Sequence, residues 1–220
     1  MNDSRQYAKS LDAQDPLRAF RDEFNFPLAR DGRDCVYLCG NSLGLQPKRA
    51  TQFVNEELED WAALGVEGHF KARRPWMPYH RQVTENLAAL LGAKPAEVVG
   101  MNTLTVNLHL MMTSFYRPTP ERHRILIEST AFPSDRFAVM SQLQLHGRDP
   151  ATDLVEWRPR ENAELHLDDL DAILRNDQSI ALLLLPGVQY YSGQVLDMAA
   201  LCRLASDHGC RIGLDLAHAV

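Results

Sequence analysis

The chain has 220 residues, 45% apolar and 24% charged, an ordinary balance that excludes disordered and collagen-like chains. With 23 Lys and Arg against 29 Asp and Glu the net charge is −6, a field that does not recruit nucleic acid or anionic lipid without a local basic patch. The longest apolar run, Ile180–Leu185, is far shorter than the roughly 20 residues of a membrane-spanning helix. Met1–Gln6 lacks the basic-then-apolar layout of a secretory signal, so a soluble, cytoplasmic, globular protein is expected.

In chain order, residues 1–33 mix charges with prolines and carry one short helical pattern around Pro16–Phe24. A strand is predicted at Cys35–Leu38, then a turn-rich loop over Cys39–Lys48. On that strand Cys35 and Cys39 would face one side about 13 Å apart, too far for a shared metal. All four cysteines (35, 39, 202 and 210) are therefore expected to be buried free thiols, with no metal site. Helical periodicity returns at Thr51–Leu64 and again at Tyr79–Leu91, on either side of a loop rich in His, Arg and Pro.

From Glu97 onward the pattern is regular. A helix capped by Asn102 or Thr103 runs to Phe115, followed by a strand at Arg124–Glu128 and a helix at Ser134–Leu145. A strand at Leu154–Trp157, a helix at Leu167–Arg175 and a strand at Ile180–Leu185 come next. The helix Asp197–Asp207 and the strand Arg211–Leu216 complete the series. Short strands alternating with helices predict an α/β fold, a mostly parallel sheet flanked by helices. Ile180–Leu185, apolar on both faces, fits a strand covered on both sides.

Open α/β sheets bind ligands beyond the carboxyl ends of their strands. Two carboxylates, an aromatic ring and an imidazole follow strands here, in Ser129–Asp135 and Asp215–His218. Met101–Asn107 opens a helix with hydroxyls and free N–H groups, a natural phosphate seat. No glycine-rich dinucleotide or P-loop fingerprint is present. A phosphate seat, a stacking ring and a strand-end carboxylate are the parts that hold pyridoxal phosphate, whose protonated ring acts as an electron sink.

Several long motifs stand in order along the chain: Tyr37–Lys48, Arg73–Trp76, Met101–Leu110, Ala131–Asp135, Ser141–Gly147, Pro186–Gln194 and Gly213–Ala219. Through them the chain resembles the kynureninases, fold-type-I pyridoxal-phosphate enzymes of the aspartate aminotransferase superfamily. The resemblance implies hydrolytic cleavage of the Cβ–Cγ bond of L-kynurenine, and of 3-hydroxykynurenine, in tryptophan catabolism and NAD biosynthesis. It implies phosphate binding by Leu104 and Thr105 and ring stacking by Phe132, with Pro133, Ser134 and Asp135 completing that cofactor loop. Asp215 matches the partner of the pyridine nitrogen, and His218 another cofactor-site residue. Ser42 and His69 match positions facing the substrate's aryl group. Pro186 stands where some family members carry a serine near the cofactor, so no role is carried to it.

The family's lysine, which binds the cofactor covalently, lies beyond Val220 in this comparison, and Lys9, Lys48, Lys71 and Lys94 fall in no matching motif. The resemblance therefore implies an N-terminal part: residues 1–50 an arm and turn-rich loop, residues 51–220 an incomplete large domain truncated at its C-terminus. Such a part is expected to be inactive alone. Full-length family members are homodimers, and in this comparison Phe70 and Trp76 are expected to be exposed at the associating region. A non-catalytic fragment and a related pyridoxal-phosphate lyase or aminotransferase are the alternatives.

Overall fold

The computed structural model describes residues 4–161 and 163–219. Two compact units divide between Gln82 and Val83.

The first unit opens with helix α1 (Arg5–Gln14), where the Ser4 hydroxyl accepts the Tyr7 N–H at 3.2 Å and satisfies one of the helix's free donors. The helical pattern around Pro16 is a 3₁₀ segment, Arg18–Glu23. Strands β1 (Phe24–Asn25) and β2 (Gln46–Pro47) pair antiparallel. Cys35–Leu38 is not a strand: among the described residues no neighbouring strand pairs with it, and Val36 and Leu38 are more than four-fifths exposed. The Cys35 N–H donates to Pro27 O at 2.8 Å, but no described strand lies alongside to continue the pairing or cover the apolar side chains. The thiols differ from expectation too, since none is buried: Cys39 and Cys202 are exposed, Cys35 and Cys210 half-buried.

Helix α2 (Arg49–Leu64) leads through a 3₁₀ turn (Gly65–Glu67) into the short helix α3 (Gly68–Lys71). The loop after α3 is tied back to α2 by charge. Arg74 pairs with Glu56 at 2.8 Å and Glu57 at 2.6 Å, and the Arg73 N–H donates to the buried Asp60 carboxylate at 2.7 Å. Trp76 is half-buried rather than exposed, because its indole N–H donates to Glu57 at 2.9 Å and its ring lies on Gly68. Phe70 is 68% exposed, as expected.

A Cβ on Gly68 would stand 2.3–2.7 Å from three Trp76 ring carbons, closer than any real contact. Gly68→Ala is therefore expected to expel the indole and cost about 1–3 kcal/mol. The check is a red-shifted Trp76 emission and earlier unfolding in a Trp61→Phe, Trp157→Phe background.

The second unit starts within helix α4 (Arg81–Leu91), followed by a 3₁₀ turn at Pro95–Glu97 and helix α5 (Leu104–Phe115). Strand β3 (Arg124–Glu128), helix α6 (Pro133–Leu145), the short helix α7 (Pro150–Asp153) and strand β4 (Leu154–Trp157) come next. Helix α8 (Leu167–Asn176), strand β5 (Ile180–Pro186), helix α9 (Met198–Asp207) and strand β6 (Arg211–Asp215) complete it. The four strands form one parallel sheet in the order β4-β3-β5-β6.

Strand alternation sends side chains to two cores. Leu126, Trp157, Leu183 and Leu185 pack with Leu170 and Leu174 of α8 and Leu201 and Ala205 of α9. On the other face Ile125, Ile127, Leu182 and Leu184 pack with Met112 of α5 and Ala138, Val139 and Leu143 of α6. The sheet is thus flanked by helices on both faces, as its apolar strands require. From β3 the chain moves to β4 on one side, then returns past β3 to β5 on the other. The order reverses between β3 and β5, the topological switch where such sheets open a crevice for ligands.

Candidate functional site

Three carboxylates gather at the carboxyl ends of the strands. Asp135 lies at the head of the buried stripe of α6, which runs Asp135, Ala138, Val139, Gln142, Leu143 at helical spacing. The periodicity that buries the core side chains of α6 also buries its first-turn carboxylate. Asp215 ends β6, and one of its oxygens accepts the Ala217 N–H at 2.8 Å. Asp135 is hydrogen-bonded to Asp215, and burial followed by that bond and the Asp215 charge raises its pKa to about 7. A neighbouring carboxylate disfavours the charged form, so Asp135 keeps its proton to higher pH than an ordinary carboxyl.

Glu128, which ends β3, is the third, only 3% exposed. Burial pushes its pKa up to about 7 against the pull of its own backbone N–H, with the charges of Asp135 and Asp215 adding to the rise. It was not among the residues expected at the site, although an acid that closes the apolar run Ile125–Ile127 is a sequence-level signal of its own.

Phe132, Pro133, Ser134 and His218, also expected at the cofactor, lie within three residues of Asp135 or Asp215 in the chain. Phe132 precedes α6 with its ring 47% exposed, edge-on to Tyr190 at 5.1 Å between centroids. Pro133 occupies the first turn of α6, where no N–H is needed, and the Ser134 hydroxyl donates to Asp135 at 3.2 Å. His218 lies half-buried in the turn closed by Ala219 N–H donating to Leu216 O. Close by, Gly187 after β5 donates its N–H to Asp215 O at 2.8 Å, and a Cβ there would meet Ala219 at 2.7 Å. Only glycine lets the two loops touch at this point.

Leu104 and Thr105 form the first turn of α5. Thr103 stands at the N-cap position but its side chain makes no capping bond. The Asn107 amide instead grips Asn102, accepting its N–H and donating to its C=O, both at 3.0 Å. The first N–H groups of a helix have no partner within it, so this turn keeps donors for an anion. Leu104 and Asp215 both line one cavity of about 570 Å³, walled also by Leu108, Met111, Leu184 and Leu214.

Ser42 and His69 belong to the first unit and both are exposed. The Ser42 N–H closes a turn onto Cys39 O at 2.9 Å, and His69 sits edge-on to Trp76 at 5.5 Å. Among the described residues no group of His, Cys, Asp and Glu has the arrangement of a metal site, and no helix is long and apolar enough to cross a membrane.

No family model matches the chain. Kynureninases do: that of Myxococcus xanthus is 55% identical over 218 residues, 98% of this chain and 51% of that protein. That of Koribacter versatilis is 54% identical with the same coverage, and that of Xanthomonas oryzae is 56% identical over 219 residues, 99% and 52%. The chain spans about half the length of the curated relatives it matches. Among solved structures, a cysteine desulfurase from Escherichia coli superposes with a TM-score of 0.68 at 19% identity, over 90% of this chain and 47% of that one. A cystine C–S lyase bound to cysteine persulfide gives 0.65 at 16% identity, over 82% and 46%. A variant of that lyase, with glycine covalently linked to its pyridoxal-phosphate cofactor, gives 0.59 at 17%, also over 82% and 46%. The resemblance read from the motifs therefore holds: over almost its whole length the chain is similar to kynureninases, on the fold of the fold-type-I pyridoxal-phosphate enzymes.

Proposed function

We propose that this chain is the cofactor-bearing part of a kynureninase, whose reaction is hydrolysis of the Cβ–Cγ bond of L-kynurenine to anthranilate and L-alanine. The observation that carries the reading is the hydrogen-bonded Asp135–Asp215 pair at the strand ends, in a chain 54–56% identical to kynureninases.

The donor set fits pyridoxal phosphate. The open first turn of α5, at Leu104 and Thr105, faces an anion with N–H groups and the positive end of the helix dipole. Phe132 offers an exposed face for the ring. Asp135, its pKa raised to about 7 by burial and by Asp215, keeps its proton to higher pH than an ordinary carboxyl. In this reading Asp215, at the end of β6, is the residue that meets the pyridine nitrogen. When bound, the cofactor supplies an electron sink for bonds broken at the substrate's α and β carbons. In the same reading His218 borders the cofactor, Ser42 and His69 meet the substrate's aryl group, and the assembly is a cytoplasmic homodimer. The exposed stripe Val54, Leu58 and Trp61 on α2 supports association.

The second unit contains one lysine, Lys94, exposed at the 3₁₀ turn before α5. A polypeptide of the relatives' length that carries this chain is expected to release anthranilate from L-kynurenine in the presence of pyridoxal phosphate. These 220 residues alone are expected to show no release above a cofactor blank, since positioned proton transfer is worth about 10²–10⁴ in rate. Anthranilate fluorescence reads both arms. Release by the 220 residues alone, or none by the longer polypeptide, contradicts the reading.

A further inference from the structure

The Pro186–Gln194 motif is not absorbed by the cofactor contacts described above. Gln189 is 2% exposed, yet every hydrogen-bonding site on its amide is engaged across the switch between β3 and β5. Its Nε2 donates to Thr130 O at 3.0 Å and to Thr130 Oγ1 at 3.1 Å, reaching the loop after β3. Its Oε1 accepts the N–H groups of Tyr191 and Ser192, both at 2.7 Å, closing the loop after β5 on itself. The backbone of Gln189 is held as well, by Gln194 O and the Gly193 N–H. Gln194 in turn exchanges two 2.8 Å bonds with the backbone of Leu165, in the loop after β4.

Tyr190, next to this clamp, meets Phe132, two residues beyond Thr130, at 5.1 Å and 76° between ring planes. Both rings are almost half exposed, so no core packing fixes the tilt of Phe132. The backbone on each side of the ring pair is instead pinned by one buried amide.

We propose that Gln189 is a positioning residue: by bracing the two loops it holds Tyr190 edge-on to Phe132 and so sets the plane of the ring that covers the cofactor. The link to the cofactor rests on the reading under Proposed function; the ring geometry does not.

The test uses the 220-residue chain and three variants. Gln189→Met keeps the volume and removes all four side-chain bonds. Gln189→Glu keeps an acceptor for Tyr191 and Ser192 but loses the donor to Thr130. Tyr190→Leu removes the edge contact alone. Nuclear Overhauser signals between the Phe132 and Tyr190 rings are expected to be strong in the parent, weaker in Gln189→Glu and absent in Gln189→Met. The methyl signals that Leu126 and Leu183 exchange with their core neighbours are expected to stay unchanged. Pyridoxal phosphate is expected to bind Gln189→Met and Tyr190→Leu about tenfold more weakly than the parent, with a smaller induced circular dichroism. Inter-ring signals that persist in Gln189→Met overturn the proposal. So does their disappearance with unchanged affinity and dichroism. No binding to the parent chain overturns the cofactor reading, while an inter-ring signal that vanishes in Gln189→Met still upholds the bracing role.

Discussion

Replacing Asp215 by alanine is expected to weaken binding of pyridoxal phosphate to this chain by about 10- to 100-fold, the worth of one charge-assisted hydrogen bond. Asp215 ends β6 at the strand-end crevice, next to Asp135, whose pKa it helps raise to about 7, and is the residue proposed to meet the pyridine nitrogen. Asp215→Asn keeps the shape and the bond to the Ala217 N–H within reach but not the charge, and is expected to fall between the two. Removing Asp215 also takes away the hydrogen bond and the charge that raise Asp135, so Asp135 should then ionise at lower pH. Equilibrium dialysis measures the affinities, and far-ultraviolet circular dichroism checks that each variant is folded. Equal affinity in parent and Asp215→Ala would remove Asp215 from the site.

The second large effect is on stability against pH. Glu128 and Asp135 are raised to about 7 in the fold from ordinary values of 4.5 and 3.8. A folded pKa above the unfolded one means the folded state binds the proton more tightly. The stabilisation is then complete below the unfolded pKa and is lost as pH rises through the folded one. The second unit is therefore expected to be more stable at about pH 5 than at about pH 8. Glu128→Gln, which cannot ionise, is expected to flatten that slope and add about 1–3 kcal/mol at the alkaline end. Urea unfolding followed by Trp157, the sole tryptophan of the second unit, in a Trp61→Phe, Trp76→Phe background gives both numbers. A pH-independent midpoint in the parent would mean that neither Glu128 nor Asp135 binds its proton more tightly in the fold than in the unfolded chain.

Much of the second unit is legible in the sequence because its strands are short apolar runs that only a two-sided burial explains. Arg124–Glu128 and Leu154–Trp157 fall where the pattern puts them, and Ile180–Pro186 extends its run by one residue. The first unit is harder. Cys35–Leu38 has the same local pattern as a strand, but no second strand among the described residues pairs with it, and pairing is a long-range property that a local pattern does not carry. The convergence of Asp135 and Asp215, 80 residues apart in the sequence, follows from the parallel topology and is readable from the strand-end rule alone. Gln189 and Tyr190 are not legible as site residues in the same way. Gln189 stands out by its burial and its bonds to Thr130, and Tyr190 by its ring contact with Phe132, and a glutamine in a turn-rich motif looks like surface until those bonds are seen.

The most direct test of the site is the protonation state of the cofactor's ring nitrogen, read by nitrogen-15 resonance of pyridoxal phosphate labelled at the pyridine position and bound to this chain. With Asp215 as its partner, the nitrogen is expected to show the pyridinium shift well above the pH at which the free cofactor loses that proton, and to revert to the neutral shift in Asp215→Ala. A neutral pyridine shift in the parent chain, or a pyridinium shift that survives loss of Asp215, would contradict the assignment of the Asp135–Asp215 pair as the cofactor's charge partner.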